Sequence, residues 1–387
     1  MPTSRRIETD LAAAVSSAIP ELDRLREAAA GAPLYLVGGA VRDLMLDRPP
    51  VALDVAVEGD AAAVARRLGG EVLEHERFLT AATKLGEWQL DLTSTRTETY
   101  AAPGALPEVK PASLEEDLAR RDFTVNAIAW PLQGEPQLID PNAGQSDLES
   151  GLLRVLHERS FVDDPTRALR AARYAARLGF ELEPRTAELI QEADLGSVSA
   201  DRRAAELLKI ALEPEAAARG LQLAAEWGLV RSRHGAAELL PAVDALLAQP
   251  PWSEIAARPR AMLVAALGPV GREAELAAAA PAGPSEAVEL AHDERPEVLV
   301  LARAMGAEWL DDYVRDWRHV TLEIDGSDLV AAGVPEGPAV GRGLEEALRR
   351  KLDGEISGHD DEMRVALEAA EKRGTGNGAP EDDDGVA

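Results

Sequence analysis

The sequence predicts an α+β protein, a small mixed-sheet head followed by an all-helical remainder. Three observations carry that prediction. At 387 residues the chain is too long for one compact core, so two to four domains are expected. Between residues 31 and 156, short apolar runs alternate with glycine turns and short helical stretches, the texture of a small sheet with its helices. From Phe161 onward almost every segment has helical period.

The elements come in order along the chain. Residues 8–30 read as one amphipathic helix with Leu11, Val15, Ile19 and Leu22 on a common face, within an N-terminal helical segment at 1–30. LYLVGG (34–39) is a strand running into a glycine turn, and VRDLMLD (41–47) a short helix. VALDVAVE (51–58) is a strand, GDAAAVARRLGG (59–70) a helix closed by glycine, and EVLEHERF and EWQLDLTSTR are further strands. The helical part is punctuated at QPPW (249–252), GPVG (268–271), PAGPS (281–285) and GVPEGPAVG (333–341). The predicted division is a head at 31–156, a neck at 157–215, a body at 216–320 and a tail at 321–373. Residues 374–387, GTGNGAPEDDDGVA, carry no core-forming residues and are expected to be disordered.

Composition narrows the function. A formal net charge of −28 excludes a uniformly basic nucleic-acid binder but leaves room for a local basic groove. The chain has no Cys, which rules out a disulfide, a thiolate metal site and a Cys nucleophile. No apolar run is long enough to span a bilayer. The start, MPTSRRIETDLAAAV, has acids inside its apolar stretch and does not read as a secretory signal. A cytoplasmic protein without a membrane partner is expected.

Four polar constellations stand out. GGAVRD (38–43) joins a strand to a helix; its glycines allow close backbone approach to an anion, with Arg42 as a further contact, or else form a plain tight turn with an Arg42–Asp43 ion pair. Asp54 lies on a strand whose positions 52, 54, 56 and 58 share a face, and Asp91 lies on a later strand. Converging carboxylates suit metal-assisted phosphoryl transfer; a strand-end cap is the plainer reading. In EEDLARRDFTVNAIAW (115–130), Arg120, Arg121, Asp122 and Asn126 cluster, and on a helix Asp122 and Asn126 would share a face that holds a ribose and a base edge or is simply solvated. In FVDDPTRALRAARYAARLGF (161–180), Arg167, Arg170, Arg173 and Arg177 form an arginine stripe. Asp164 and Arg167 could offer an acceptor and donors to a base edge; a solvated stripe is the alternative.

Taken together and in this order, LYLVGGAVRD, VEGDA, HERF, LDLTSTRTETY, PGALPEV, DLARRDFTVNAIA, LIDPNAG, LLRVL and DDPTRALRAARYAARLGF resemble a known family over roughly residues 34–208. It is the bacterial-type CCA-adding tRNA nucleotidyltransferase and poly(A) polymerase family, of the polymerase-beta-like superfamily. SADRRAAELLKI (199–210) and IDGSDLVAAGVPEGPAVGRGLEEAL look like its neck helix and tail segment. The resemblance implies a polymerase-beta-like head with helical neck, body and tail, and template-independent addition of CCA to tRNA from CTP and ATP. It implies that Gly38, Gly39 and Arg42 hold the triphosphate and that Asp54 and Asp91 bind Mg2+. Arg121, Asp122 and Asn126 would contact the sugar, and Asp164 and Arg167 would read the base. Arg170, Arg173 and Arg202 would meet RNA or shape the pocket.

Three positions depart from the family pattern. Ala52 stands where the family has a first metal-binding aspartate, Leu79 where it commonly has Gly in a mobile loop, and Asp163 where Glu is more usual. Ala52 motivates the rival expectation of a catalytically weakened tRNA-binding relative. A poly(A)-, CC- or A-adding relative is the alternative within the class. The doublets His292–Asp293 and His359–Asp360 suggest a phosphohydrolase domain, but no accompanying ligands are evident.

Overall fold

The computed structural model describes residues 4–19 and 21–371; the segment expected to be disordered, 374–387, lies outside them. The chain divides into two compact units, Met1–Ser232 and Arg233–Ala387. The boundaries expected at 156 and 215 fall inside the first unit, and the one at 320 inside the second.

The first unit opens with two helices, α1 (Ser4–Ala18) and α2 (Leu22–Ala29), where one was expected over 8–30. Pro20 lies between them in the sequence, and proline cannot continue a helical hydrogen-bond ladder. Then come β1 (Leu34–Val37), α3 (Gly39–Met45), β2 (Leu53–Val57), α4 (Ala61–Leu68), β3 (Leu73–His75), β4 (Thr80–Leu85) and β5 (Trp88–Ser94). A two-stranded hairpin, β6 (Arg96–Thr99) with β7 (Glu108–Pro111), leads to α5 (Leu114–Ala119) and β8 (Ala129–Pro131).

Six strands form one mixed sheet in the order β3-β4-β5-β2-β1-β8, with β2 and β5 parallel and the other neighbours antiparallel. Strand β4 was missed in the sequence: TAATKL is short and small-chained and carries a weak β signal. Alternation assigns the two faces. Leu53, Val55, Val57, Leu90 and Leu92 join the large core made with Leu25 of α2 and Val64 of α4. Ala56 and Val37 face the other way, onto Leu114 and Leu118 of α5. Asp54, two residues before Ala56, therefore faces the α5 side.

Residues 120–126, expected to continue a helix, do not. Helix α5 is started by a capping box of Ser113 and Glu116 and ends at Ala119. Beyond Ala119 the chain bends and makes a single 3-10 turn, Thr124–Asn126.

The remaining elements of the first unit are α6 (Gly144–Ser150), β9 (Leu152–Leu153), α7 (Ser160–Asp163), α8 (Thr166–Leu178), β10 (Glu181–Leu182), α9 (Pro184–Leu189), α10 (Ala200–Ala211) and α11 (Ala217–Glu226). β9 and β10 pair in parallel. Helix α8 buries Ala168, Leu169, Ala172 and Ala175 and presents its arginines elsewhere.

The second unit is helical throughout its described residues, from α12 (Ala236–Leu247) to α21 (His359–Glu371). Its last helices close on a small core of Leu329, Ala347, Val365 and Ala366. His292 and His359 are exposed, each beside its own neighbouring aspartate at 3.0 and 3.5 Å. No helix of the described residues is long and apolar enough to cross a membrane.

Candidate active site

A cavity of about 560 Å³ opens on the α5 side of the sheet. It is lined by Gly38, Gly39 and Asp54 at the end of the sheet, by Arg121, Asp122 and Asn126, and by Asp164, Arg167, Arg170 and Arg202 of the neck, whose Arg170 is bonded directly to Asp122. Seven cationic side chains against five carboxylates line it. A protein of net charge −28 thus keeps a locally positive cleft.

Gly38 has φ +67°, a conformation that side-chain-bearing residues adopt rarely. A Cβ there would meet Arg121 Nη1 at 3.2 Å and Asp54 Oδ2 at 3.3 Å. Glycine thus brings the backbone to the cavity without blocking it.

Asp54 and Asp91 are register partners in parallel β2 and β5, so their carboxylates share a face. Burial raises the Asp54 pKa, Arg121 opposes that and Asp91 adds to it. Asp91 stands beside Asp54, outside the cavity lining, with Gln89 Nε2 at 3.5 Å. Ala52 lies in the bend before β2, which begins one residue later. Two neighbouring carboxylates are hard oxygen donors that fit a divalent metal, one side chain short of a fuller set. No group of three or more His, Cys, Asp or Glu suited to a metal occurs among the described residues.

Asp122 is the junction of the wall. Its Oδ2 accepts from Arg170 Nε and Nη2 at 2.8 and 2.6 Å, and its Oδ1 from Asn126 Nδ2 at 3.0 Å. Burial alone would raise its pKa, but Arg170 and Asn126 outweigh that and hold the carboxyl well below its usual range. The Asp122–Asn126 contact, expected from helical spacing, is made instead by the bend and 3-10 turn.

Arg42, expected at the triphosphate, is not among the residues lining the cavity and sits behind Gly39. It is 1% exposed. Its guanidinium is committed to Asp43 Oδ1 at 2.7 and 2.9 Å and to Asn126 Oδ1 at 2.6 Å, and it sits over the Tyr174 ring at 5.1 Å. The plain Arg42–Asp43 pair does form, but buried rather than on the surface. Arg177 reaches the same aspartate at 2.8 Å, tying α8 to α3.

The arginine stripe is not a solvated face. Arg167 donates from Nη1 to Ser160 Oγ and from Nη2 to the Arg120 carbonyl, both at 2.8 Å. Arg202 bridges the Gly104 carbonyl and Asp164 Oδ1 at 2.8 and 2.9 Å. Arg173 stacks on Tyr174 at 4.8 Å and is not part of the lining. Asp164 and Arg167, expected together, share the neck wall without a side-chain bond between them.

Sequence reasoning missed Arg96, Glu98 and Tyr100, which also line the cavity. Glu98 collects Arg96 at 3.0 Å, Arg120 at 2.7 Å and the Tyr100 hydroxyl at 2.9 Å. Burial and then the Glu98 charge raise the Tyr100 pKa. Their spacing of two, polar side chains on one strand face, was the available signal. Asp117 was missed as well. It is fully buried and holds Arg120 at 2.6 Å and Arg121 at 2.9 Å.

Residues 34–154 match the family described as poly A polymerase head domain. An A-adding tRNA nucleotidyltransferase of Halalkalibacterium halodurans is 48% identical over 163 residues, 40% of this chain and 38% of that protein. The chain spans less than half the length of the A-adding relatives it matches. A CC-adding tRNA nucleotidyltransferase of Deinococcus radiodurans is 36% identical over 365 residues, 90% of this chain and 92% of that protein. Among solved structures, an apo form of a CCA-adding enzyme superposes with a TM-score of 0.80 at 27% identity, over 93% of this chain and 98% of the other.

Proposed function

This chain belongs to the tRNA nucleotidyltransferase family with a poly(A) polymerase head domain, and on that premise we propose that it extends tRNA 3′ ends with CMP and AMP, drawing on CTP and ATP. One observation carries the reading: the cavity pairs a phosphate-accessible floor, Gly38, Gly39 and Asp54, with a wall of base-edge donors and acceptors, Asp164 and Arg167. The similarity to a CC-adding protein over most of both chains supports it.

The residues divide the work. Gly38 and Gly39 let phosphate oxygens approach the backbone, and Arg121 and Arg170 offer charge to them. Asp122, through Asn126 and Arg170, fixes the wall that meets the sugar. Arg167 and the second carboxylate oxygen of Asp164 face the Watson–Crick edge. Cytosine N3 and adenine N1 are acceptors, whereas uracil N3 and guanine N1 carry hydrogens, so an arginine donor favours C and A. Polymerase-beta-like nucleotidyltransferases generally use a divalent metal, and we assign Asp54 and Asp91 to hold it, as Mg2+. When bound, such an ion neutralises phosphate charge and acidifies the attacking 3′-hydroxyl. The hydroxyl oxygen gives its proton to solvent and bonds to the α-phosphorus as the bond from that phosphorus to the α–β bridging oxygen breaks, and pyrophosphate leaves. Arg170, Arg173 and Arg202 are the proposed RNA-side cations of the neck, and a cytoplasmic setting fits a tRNA substrate.

Ala52 favours a second reading, a relative with weak turnover that keeps tRNA and nucleotide binding. The test uses tRNA ending at the discriminator base, at the first C, at CC and at CCA, each incubated with labelled CTP, ATP and Mg2+. Incorporation that stops at CCA supports the main reading; products that stop at CC, or growth only from CC, identify a CC- or A-adding activity. Binding without incorporation selects the weakened relative, and neither binding nor incorporation contradicts both.

A further inference from the structure

Arg167 is held by three separate pieces of chain. Besides Ser160 Oγ and the Arg120 carbonyl, its Nη1 faces His157 Nε2 at 3.4 Å. Ser160 starts α7, His157 lies in the segment before it, and Arg120 closes α5. A guanidinium has five N–H groups in one plane. With both terminal nitrogens engaged from the protein side, the direction of the remaining N–H groups is fixed; Arg167 is 5% exposed as a whole and lines the cavity. Nothing in the proposed chemistry uses His157.

The imidazole contributes as an acceptor only while Nε2 is unprotonated, with the ring hydrogen on Nδ1. Burial and then the Arg167 charge lower its pKa; Asp163 opposes them and Arg159 adds to them. Arg159 is itself paired with Asp163 at 2.9 Å. The ring is therefore neutral at neutral pH. Protonation would remove the acceptor and set a cation against the guanidinium.

We propose that His157 is a positioning residue for base selection, holding the Arg167 fork at the angle that distinguishes C and A from U and G. This deepens the nucleotide-transfer reading and rests on it. The consequence is a discrimination that weakens on acidification, because the same contact that orients Arg167 is lost when the ring takes a proton.

Calorimetric binding of CTP and UTP to the full chain, from about pH 5 to about pH 8, a window set toward acid because the His157 pKa lies below the ordinary value of about 6.5, tests this without requiring turnover. The natural protein is expected to prefer CTP and to lose part of that preference at the acid end. His157→Ala should lower the preference about three- to tenfold at neutral pH, the worth of one modest hydrogen bond. His157→Asn, which keeps an amide acceptor and cannot titrate, should restore it and be flat with pH. A merely structural role would not produce that rescue or that pH profile. Undiminished preference in His157→Ala, or a wild-type pH profile in His157→Asn, overturns the inference. Arg167→Ala separates the two levels. If it discriminates like the natural protein, base reading by Arg167 fails and this inference with it. If it loses discrimination while His157→Ala keeps it, only the role of His157 falls. Absence of nucleotide binding by the natural protein contradicts both.

Discussion

Arg167 and Arg42 are both buried arginines near one cavity, and they do different things. Arg167 ends in the cavity, so Arg167→Ala should let UTP and GTP compete in incorporation. One well-made bidentate reading is worth about 1–3 kcal/mol, roughly tenfold to over a hundredfold in selectivity. Competition assays with mixed nucleotides read this directly, and unchanged selectivity in an active variant would show that another group reads the base. Arg42 ends in Asp43 and Asn126, both buried. Arg42→Ala strands a buried carboxylate whose remaining cation is Arg177, a loss of about 3 kcal/mol. The thermal midpoint of the first unit should fall by several degrees. Arg42→Lys should not recover it, since an ammonium cannot span both partners as the fork does. An unchanged midpoint would contradict the buried-network account.

Elements explain which parts of the site could be read in the sequence. The strand–turn–helix around Gly38 was legible because glycine, apolar alternation and a following helical stretch all sit within a dozen residues. The neck helix α8 was legible through its arginine spacing, although its partners were not: Asp43, Arg120 and Asp122 approach it from distant segments, and spacing carries no tertiary information. The stretch 120–126 was misread because its polar residues have helical period while the backbone leaves the helix at Ala119. The turn after β3 offers a direct test. Leu79 has φ +52° and ψ +41°, a left-handed conformation that costs a side-chain-bearing residue about 1–2 kcal/mol. Leu79→Gly removes that strain but adds freedom to the unfolded chain, roughly 0.5–1 kcal/mol the other way. The midpoint should therefore move little, while amide exchange at residues 76–80 should quicken. A midpoint lowered by many degrees would mean that the leucine side chain anchors the turn.

At the scale of the whole molecule, an acidic chain and an RNA substrate are compatible. The net −28 is spread over the chain, whereas the cleft gathers arginines from the head and neck around one opening. Affinity for tRNA should therefore fall steeply with added salt, as counterions released from phosphates are replaced. A flat salt dependence in filter binding would contradict the groove. The proposed nucleotidyl transfer takes place at a site that keeps Asp54 and Asp91 and lacks a carboxylate at position 52. Steady-state incorporation by the natural protein, Ala52→Asp and Asp54→Ala on one tRNA lacking CCA, across a magnesium series, decides this. Ala52→Asp should raise magnesium-dependent kcat with little change in nucleotide affinity, and Asp54→Ala should abolish incorporation. Brisk turnover by the natural protein, unaffected by either substitution, would contradict both.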